Sequence, residues 1–179
     1  LIDYNTCLKI LKTRRSIRKF RSKEVPLNLI IKAIDIARYA PSAKNSQPWR
    51  FIIISDRSIL SQLAEIHSGA KPLSDSRVGI VVLSKPSESP TSYMVDSSLS
   101  AMYIWLSLHC QGLGAVWIQS LRDVDKIRRI LRIPDEYIPI GILAVGWPDE
   151  EPEPKYRKPL EEITYLNIFG NKLEDQLNL

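Results

Sequence analysis

Short apolar runs of strand length, alternating with amphipathic helical stretches, predict a layered fold in which helices cover a sheet within one domain. Three observations carry this. Val78 to Leu83 is apolar throughout except for Gly79, as a strand buried on both faces requires. Leu27, Ile30, Ile31, Ile34 and Ala37 recur at three- and four-residue spacing with Lys32, Asp35 and Arg38 between them, which is the pattern of a helix with one buried face. At 179 residues the chain is long enough to bury roughly two-thirds of its extended surface in a single core.

In chain order, Leu8, Ile10 and Leu11 predict a short first helix that runs into Arg14-Arg15-Ser16-Ile17-Arg18-Lys19-Phe20-Arg21, the densest basic stretch in the sequence. It reads either as a solvated connection or as an anion site in which guanidinium forks take phosphate oxygens and a hydroxyl adds a donor. The helix over 26–40 has Pro26 in its first turn, and Pro41 biases Ala40 away from helix and stops it. The polar loop Pro41 to Pro48 follows, then Trp49 to Ile54, an aromatic and β-branched strand predicted to be buried on both faces. The loop is either a plain connection or a binding loop held by rigid elements. Asn45 and Gln47 each offer an acceptor and two donors, a set that suits a flat heterocycle with carbonyl and N–H groups along one edge.

Ser58 to Ile66 predicts a helix, Val78 to Leu83 a strand, and Ser84 to Ser92, rich in Ser and Pro, an exposed loop. Tyr93 to Gln111 predicts a long helix with Leu99, Met102, Tyr103, Leu106 and Cys110 along one side, buried within the domain or against a second copy. His109 reads as a packed or capping residue, and neither it nor Cys110 is assigned chemistry. Gly112-Leu113-Gly114 is a helix-ending glycine followed by a strand to Ile118. It is not a dinucleotide fingerprint, because the third glycine is absent and the helix precedes the strand. A helix over Asp123 to Leu131, a strand over Pro139 to Gly146, a stiff acidic connection from Asp149 to Pro154 and the charged run Lys155 to Glu162 complete the chain.

Composition is that of a globular protein, 44% hydrophobic and 25% charged. Cys7 and Cys110 are far apart and have no close-spaced partners, which excludes a disulfide framework or a cysteine zinc site and fits a reducing, cytoplasmic setting. No apolar run reaches membrane-span length, and the first residues lack the features of a signal peptide, so no membrane association is expected. The net charge of +5 is compatible with nucleic acid, an anionic cofactor or solubility. Apart from Phe20 no aromatic residues interleave the basic stretch, which disfavours a nucleic-acid binder.

Four stretches, taken together and in order, resemble the motifs of the nitroreductase-like flavoprotein family: Arg14-Arg15-Ser16-Ile17-Arg18-x-Phe20; Ala40-Pro41-Ser42-Ala43-x-Asn45-Ser46-Gln47-Pro48-Trp49-x-Phe51; Gly112-Leu113-Gly114-Ala115-x-Trp117-Ile118; and the basic positions Lys155 and Arg157 beyond Gly146-Trp147-Pro148. The resemblance spans roughly residues 8 to 165. It implies an α+β fold, with a mixed, largely antiparallel central sheet flanked by helices; strand direction comes from the resemblance, since periodicity cannot supply it. It further implies a homodimer, with residues 149–179 as a C-terminal extension wrapping the partner and FMN at the interface.

By the same resemblance Arg14, Arg15 and Ser16 hold the FMN phosphate and ribityl chain, Arg18 faces flavin and nicotinamide, and Lys155 and Arg157 reach back to the phosphate. Pro41, Ser42, Ala43, Asn45 and Gln47 of the other subunit surround the same flavin, and Gln119 and Ser120 approach its reactive edge; many members have glycine where Ser120 stands. The implied activity is ping-pong hydride transfer from NADH or NADPH through FMN to a nitroaromatic, quinone or similar acceptor. No catalytic side chain is expected, because the cofactor carries the chemistry. The alternatives are a relative doing reductive dehalogenation or flavin cleavage in the same FMN cradle, and a flavin-binding protein without turnover. No metal ligands cluster in the sequence.

Overall fold

The computed structural model describes residues 3–172. Its elements are α1 (Tyr4–Thr13), α2 (Leu27–Ala37), β1 (Trp49–Ile54), α3 (Arg57–Ala64), α4 (Pro72–Asp75), β2 (Val78–Ser84), α5 (Tyr93–Cys110), β3 (Gly114–Ile118), α6 (Val124–Leu131), β4 (Ile138–Gly146) and α7 (Leu160–Ile163). The four strands form one sheet in the order β1-β2-β4-β3. The α+β class holds, with one correction to the expected mixed sheet: every strand pair among the described residues is antiparallel. The one parallel pairing there is a single bridge, Ser16 to Ala115, where the basic segment runs beside β3.

β2 and β4 occupy the middle of the sheet and are buried because helices cover both faces. Their side chains alternate: Val81, Ile142 and Ala144 pack with Leu60 and Leu63 of α3 and Ile127 of α6, whereas Ile80, Leu143 and Val145 pack with Ile30 and Ala33 of α2 and Ile104 and Leu108 of α5. Each fully buried Ile or Leu contributes on the order of 1.5–3 kcal/mol. β1 departs from expectation. It is an edge strand, with Arg50 exposed and Phe51 to Ile53 half-buried, and its apolar run had suggested two covered faces.

α2 ends at Ala37, three residues before the sequence suggested. Approaching Pro41, its last turn tightens into i→i−3 bonds from Arg38, Tyr39 and Ala40 to Asp35, Ile36 and Ala37. Pro26 sits just outside it as the N-terminal cap residue. In α5 the inward face is Ser97, Ala101, Ile104 and Leu108. Leu99 and Met102 of the predicted stripe are 39% and 40% exposed, and Met94 and Val95 are more so. That stripe is an uncovered face of the chain and is not part of its core. The segment 84–92 also differs from the exposed loop expected: it contains a short turn of 3-10 helix over Pro86–Glu88, and Ser84 and Ser89 are buried. Residues 173–179 of the expected C-terminal extension lie outside the described residues. Within it α7 has no buried residue, and Leu160, Ile163, Ile168 and Phe169 are exposed.

The basic segment is laid against the end of the sheet by two apolar side chains. Ile17 N donates to Ala115 O at 3.0 Å and Arg21 N to Trp147 O at 2.9 Å, while Ile17 and Phe20 turn inward and are buried. Each lies on a glycine. A Cβ at Gly114 would stand 2.8 Å from Ile17, and one at Gly146 2.8 Å from Phe20. The Glu150 carboxylate accepts the backbone N–H groups of Arg18 and Lys19, fixing the course of the segment between these anchors.

Where α1 meets the end of α5, Thr13 Oγ1 donates to Lys9 O at 2.6 Å, so the 2.9 Å contact between Thr13 Oγ1 and His109 Nε2 has the imidazole N–H as donor. Burial, then the charges of Arg14 and Arg15, hold the His109 pKa below its ordinary value. The folded chain therefore disfavours the charged form of this ring.

Two outcomes follow from these contacts. Gly114→Ala places a methyl group against Ile17 and should cost about 1–3 kcal/mol of stability, read as a lower urea midpoint. For His109 the unfolded chain binds the proton first, so its contribution is complete above the unfolded pKa of about 6.5 and is lost as pH falls from there through the depressed folded value. Urea midpoints measured from pH 7 to pH 5 should fall less steeply in His109→Gln than in the wild type; parallel curves would reject a neutral His109.

Candidate functional site

Arg14, Ser16, Arg18, Lys155 and Arg157 converge on one cavity of about 100 Å³ at the end of the sheet, with Arg15 and Glu153 also on its wall. Far apart in sequence, they meet because the basic segment is pinned beside β3 and the chain returns past it after β4. Arg14 stacks its guanidinium 4.0 Å above the Trp105 ring of α5. Its Nη1 is buried and has no hydrogen-bond partner among the described residues. Burial foremost, then the charges of Arg157 and Arg15, push its pKa below the ordinary arginine value. Cations crowded around an unpaired buried N–H form an arrangement that an anion completes, and a phosphate group suits both the space and the donors.

The cationic residues differ in their commitments. Arg15 Nη1 donates to Lys12 O at 2.7 Å and Arg14 O at 3.1 Å, closing the C-terminal end of α1. Arg157 Nη1 makes only local bonds, to Lys155 O at 3.3 Å and Tyr156 O at 3.1 Å. Arg18 lines this cavity and also a much larger cleft of about 1060 Å³. The cleft lies between the basic segment and the region where α3 ends and α4 begins, and His67, Ser68, Gly69 and Lys71 form part of its wall. Arg18 thus joins a phosphate-sized cavity to a space large enough for a ring system. His67 Nδ1 accepts from Gly69 N at 2.9 Å, which holds the turn at the wall of the cleft.

Gln119 and Ser120 are exposed just beyond β3. β3 starts at Gly114, against Ile17 of the basic segment, and reaches Ile118 roughly 13 Å away.

The Pro41 to Pro48 loop lies elsewhere. Lys44, Asn45 and Gln47 take positive φ values of 54°, 56° and 49°. Ser42 Oγ accepts from Gln47 N at 3.0 Å, and Ala43 N donates to the buried carboxylate of Asp96 at 3.2 Å. Pro41, Ala43, Asn45 and Gln47 are exposed and Ser42 is half-buried. Asp96 is in the first turn of α5, whereas Arg14 stacks on Trp105, nine residues on. Along the helix that is roughly 14 Å. One chain therefore gathers the proposed phosphate ligands at one end of α5 and holds the proposed ring-edge loop at the other.

Sequence reasoning missed His67, Ser68 and Lys71, and it also missed Asp96. The His67-Ser68-Gly69 turn after α3 was a visible signal, since a short polar turn between helices often faces a cleft. Asp96 had one too: a lone acid in the inward row of a long apolar helix. Among the described residues no His, Cys, Asp and Glu side chains group as a metal site. No described helix is long and apolar enough to cross a membrane.

The model of the nitroreductase family matches residues 11–77 and 71–147. A Methanothermobacter thermautotrophicus protein, provisionally named NADH dehydrogenase/NAD(P)H nitroreductase, is 39% identical over 150 residues, covering 81% of this chain and 78% of its own. An iodotyrosine deiodinase from Thermotoga neapolitana is 30% identical over 181 residues, covering 88% of this chain and 96% of its own. Among solved structures, an FMN-dependent nitroreductase from Clostridium difficile superposes with a TM-score of 0.83 at 30% identity, over 90% of this chain and 99% of that one. With its four motifs, its sheet and its cationic cavity consistent with these matches, the chain is an enzyme of the nitroreductase family.

Proposed function

We propose that the protein is a homodimeric FMN-dependent NAD(P)H oxidoreductase that reduces a nitroaromatic, a quinone or a similar acceptor. The observation that carries this reading is the cavity of Arg14, Ser16, Lys155 and Arg157, with its unpaired Arg14 Nη1, which shares Arg18 with the wall of the large cleft. The name of the Clostridium difficile neighbour supports FMN as the cofactor, and the name of the Methanothermobacter relative supports NAD(P)H as the donor.

When bound, FMN accepts hydride from NAD(P)H and passes the electrons to the acceptor. The chain's own residues bind and orient. Arg14, Ser16, Lys155 and Arg157 take the phosphate, with the bidentate fork that arginine offers such oxygens. Arg15 braces α1 beneath them. Arg18, its backbone pinned by Glu150, stands at the entrance to the cleft, where Lys71 and His67 border the space left for ring and acceptor. Protons come from water; His67, whose Nε2 is buried and without a hydrogen-bond partner among the described residues, also borders the cleft.

Two chains are needed to complete the site. The uncovered α5 face of Met94, Val95, Leu99 and Met102 suits an antiparallel pairing with its own copy. That pairing brings the start of one α5 to the end of the other, and so the Pro41 to Gln47 loop of one chain to the cationic cavity of its partner. The exposed apolar residues after Pro159 fit an extension that packs on the partner. Free Cys7 and Cys110 accord with a reducing cytoplasmic setting.

A second reading has a specific observation in its favour, the similarity to the Thermotoga neapolitana iodotyrosine deiodinase. Reductive dehalogenation uses the same cofactor cradle and differs in the acceptor.

The purified protein should be a yellow dimer by light scattering, should lose its flavin colour with NADH or NADPH under nitrogen, and should regain it with a quinone or nitroaromatic. Reoxidation by a halogenated phenol alone would favour the second reading. A colourless protein that ignores added FMN would sink both. Arg157→Ala should weaken FMN binding by roughly 10- to 150-fold, the equivalent of about 1.5–3 kcal/mol for a lost hydrogen bond to a charged group. Riboflavin, which lacks the phosphate, should bind wild type and variant alike. Equal weakening of both flavins would place Arg157 in support of the fold or the dimer.

A further inference from the structure

Of the buried polar residues Ser76, Ser84, Ser89, Asp96, Ser97 and Ser100, all but Ser76 belong to the start of α5 and the 84–89 segment before it. Ser97 Oγ donates to Ser84 Oγ at 2.8 Å, Ser84 Oγ to Tyr93 O at 3.0 Å and Ser100 Oγ to Ser97 O at 2.8 Å. Asp96 is the one charged member, 4% exposed. Its two oxygens face two different segments: Oδ1 accepts Ala43 N–H at 3.2 Å, and Oδ2 accepts Ser89 Oγ–H at 2.7 Å.

A carboxylate is a costly way to fill a core position. Burying one is unfavourable by several kcal/mol unless its oxygens are well satisfied, and a well-packed apolar side chain would serve stability as well or better. What the carboxylate adds is a strong, directed acceptor for a loop N–H. The loop needs one. Lys44, Asn45 and Gln47 hold left-handed backbone conformations without being glycine, and such conformations persist only where the surroundings enforce them. Ser42 Oγ closes the loop on Gln47 from within, and Asp96 ties it to α5 from outside.

We infer that Asp96 is a positioning residue for the flavin ring, holding the Pro41 to Gln47 loop in the strained shape that presents its polar edge to the isoalloxazine. It acts through Ala43 and makes no contact with the cofactor itself. Ser89, on the other carboxylate oxygen, fixes the Asp96 rotamer and links the 84–92 segment to the same post. This inference rests on the flavin reading above.

The test is a cycle of Asp96→Ala, Ala43→Pro and the double variant in the full-length protein, titrated with FMN and with riboflavin. Ala43→Pro removes the donor N–H from an exposed loop position at the start of a 3-10 turn, where proline is tolerated, and leaves Asp96 in place. Each single variant should weaken both flavins by the same factor, on the order of tenfold or more. The double variant should be no worse than Asp96→Ala, because both remove one bond. Ser89→Ala should weaken binding less than Asp96→Ala. If Asp96→Ala does not fold, Asp96→Asn takes its place in the cycle, with a smaller common factor expected. Three results would overturn the inference: unchanged flavin affinities in a folded Asp96 variant, FMN weakened with riboflavin unaffected, or losses that add in the double variant. A purely structural Asp96 would lower the melting temperature of the flavin-free protein and leave both affinities at 25 °C as they were. Failure of the wild type to bind either flavin would instead sink the functional reading.

Discussion

Like charges at Arg14, Arg15, Arg18 and Arg157 do not gather unless something else holds them, and here the holding is apolar. Ile17 and Phe20 sink onto Gly114 and Gly146, and the backbone between them is tied to Ala115, Trp147 and Glu150. Within the segment Ile17 and Phe20 turn inward while Arg14, Arg15 and Arg18 line the cavity, and Arg157 reaches the same cavity from the chain returning after β4. Their mutual repulsion is visible in Arg14, whose charged form is disfavoured by burial and by Arg157 and Arg15 together. An anion bound among these cations, as proposed, would offset that repulsion, which a surface charge cluster would relieve by relaxing into water.

α5 sets the dimensions of everything else. Its inward face joins the sheet to α2. Its first turn carries Asp96 and the polar loop, and its last turns carry Trp105 under Arg14 and His109 against Thr13. A rigid rod with a recognition element at each end cannot fold those ends together. The proposed dimer would bring them around one small molecule by setting a second rod antiparallel to the first.

Much of this was legible in the sequence, and the failures have physical causes. Continuous apolar runs placed the strands, and three- and four-residue apolar spacing placed the longer helices, to within a few residues. Neither pattern could say whether an apolar face meets its own chain or another, so the Leu99 and Met102 stripe was open between the domain and a second copy, and β1 looked covered on both faces. The cationic residues were found through motif order; their convergence needed the return of the chain after β4, which no local signal encodes. Asp96 showed only as a lone acid in a long apolar helix; its role needed its partner Ala43, 53 residues away, which no local signal names.

If the proposed site is divided between two chains, cofactor binding and assembly become a single equilibrium: a ligand that contacts both chains would stabilise the dimer, and the dimer would in turn supply part of the ligand's contacts. Each half is held ready by a different device. The phosphate half is fixed by apolar anchors on glycine seats, which resist displacement but cannot neutralise the charges they gather. The ring half is held by hydrogen bonds to Asp96 and Ser42 that maintain a strained loop. Neither half gains from its arrangement in the isolated chain, where one is repulsive and the other strained. In the proposed dimer, the free energy that offsets both costs would come from the uncovered α5 face and from the flavin, and features unfavourable in the monomer would be completed by assembly and cofactor binding.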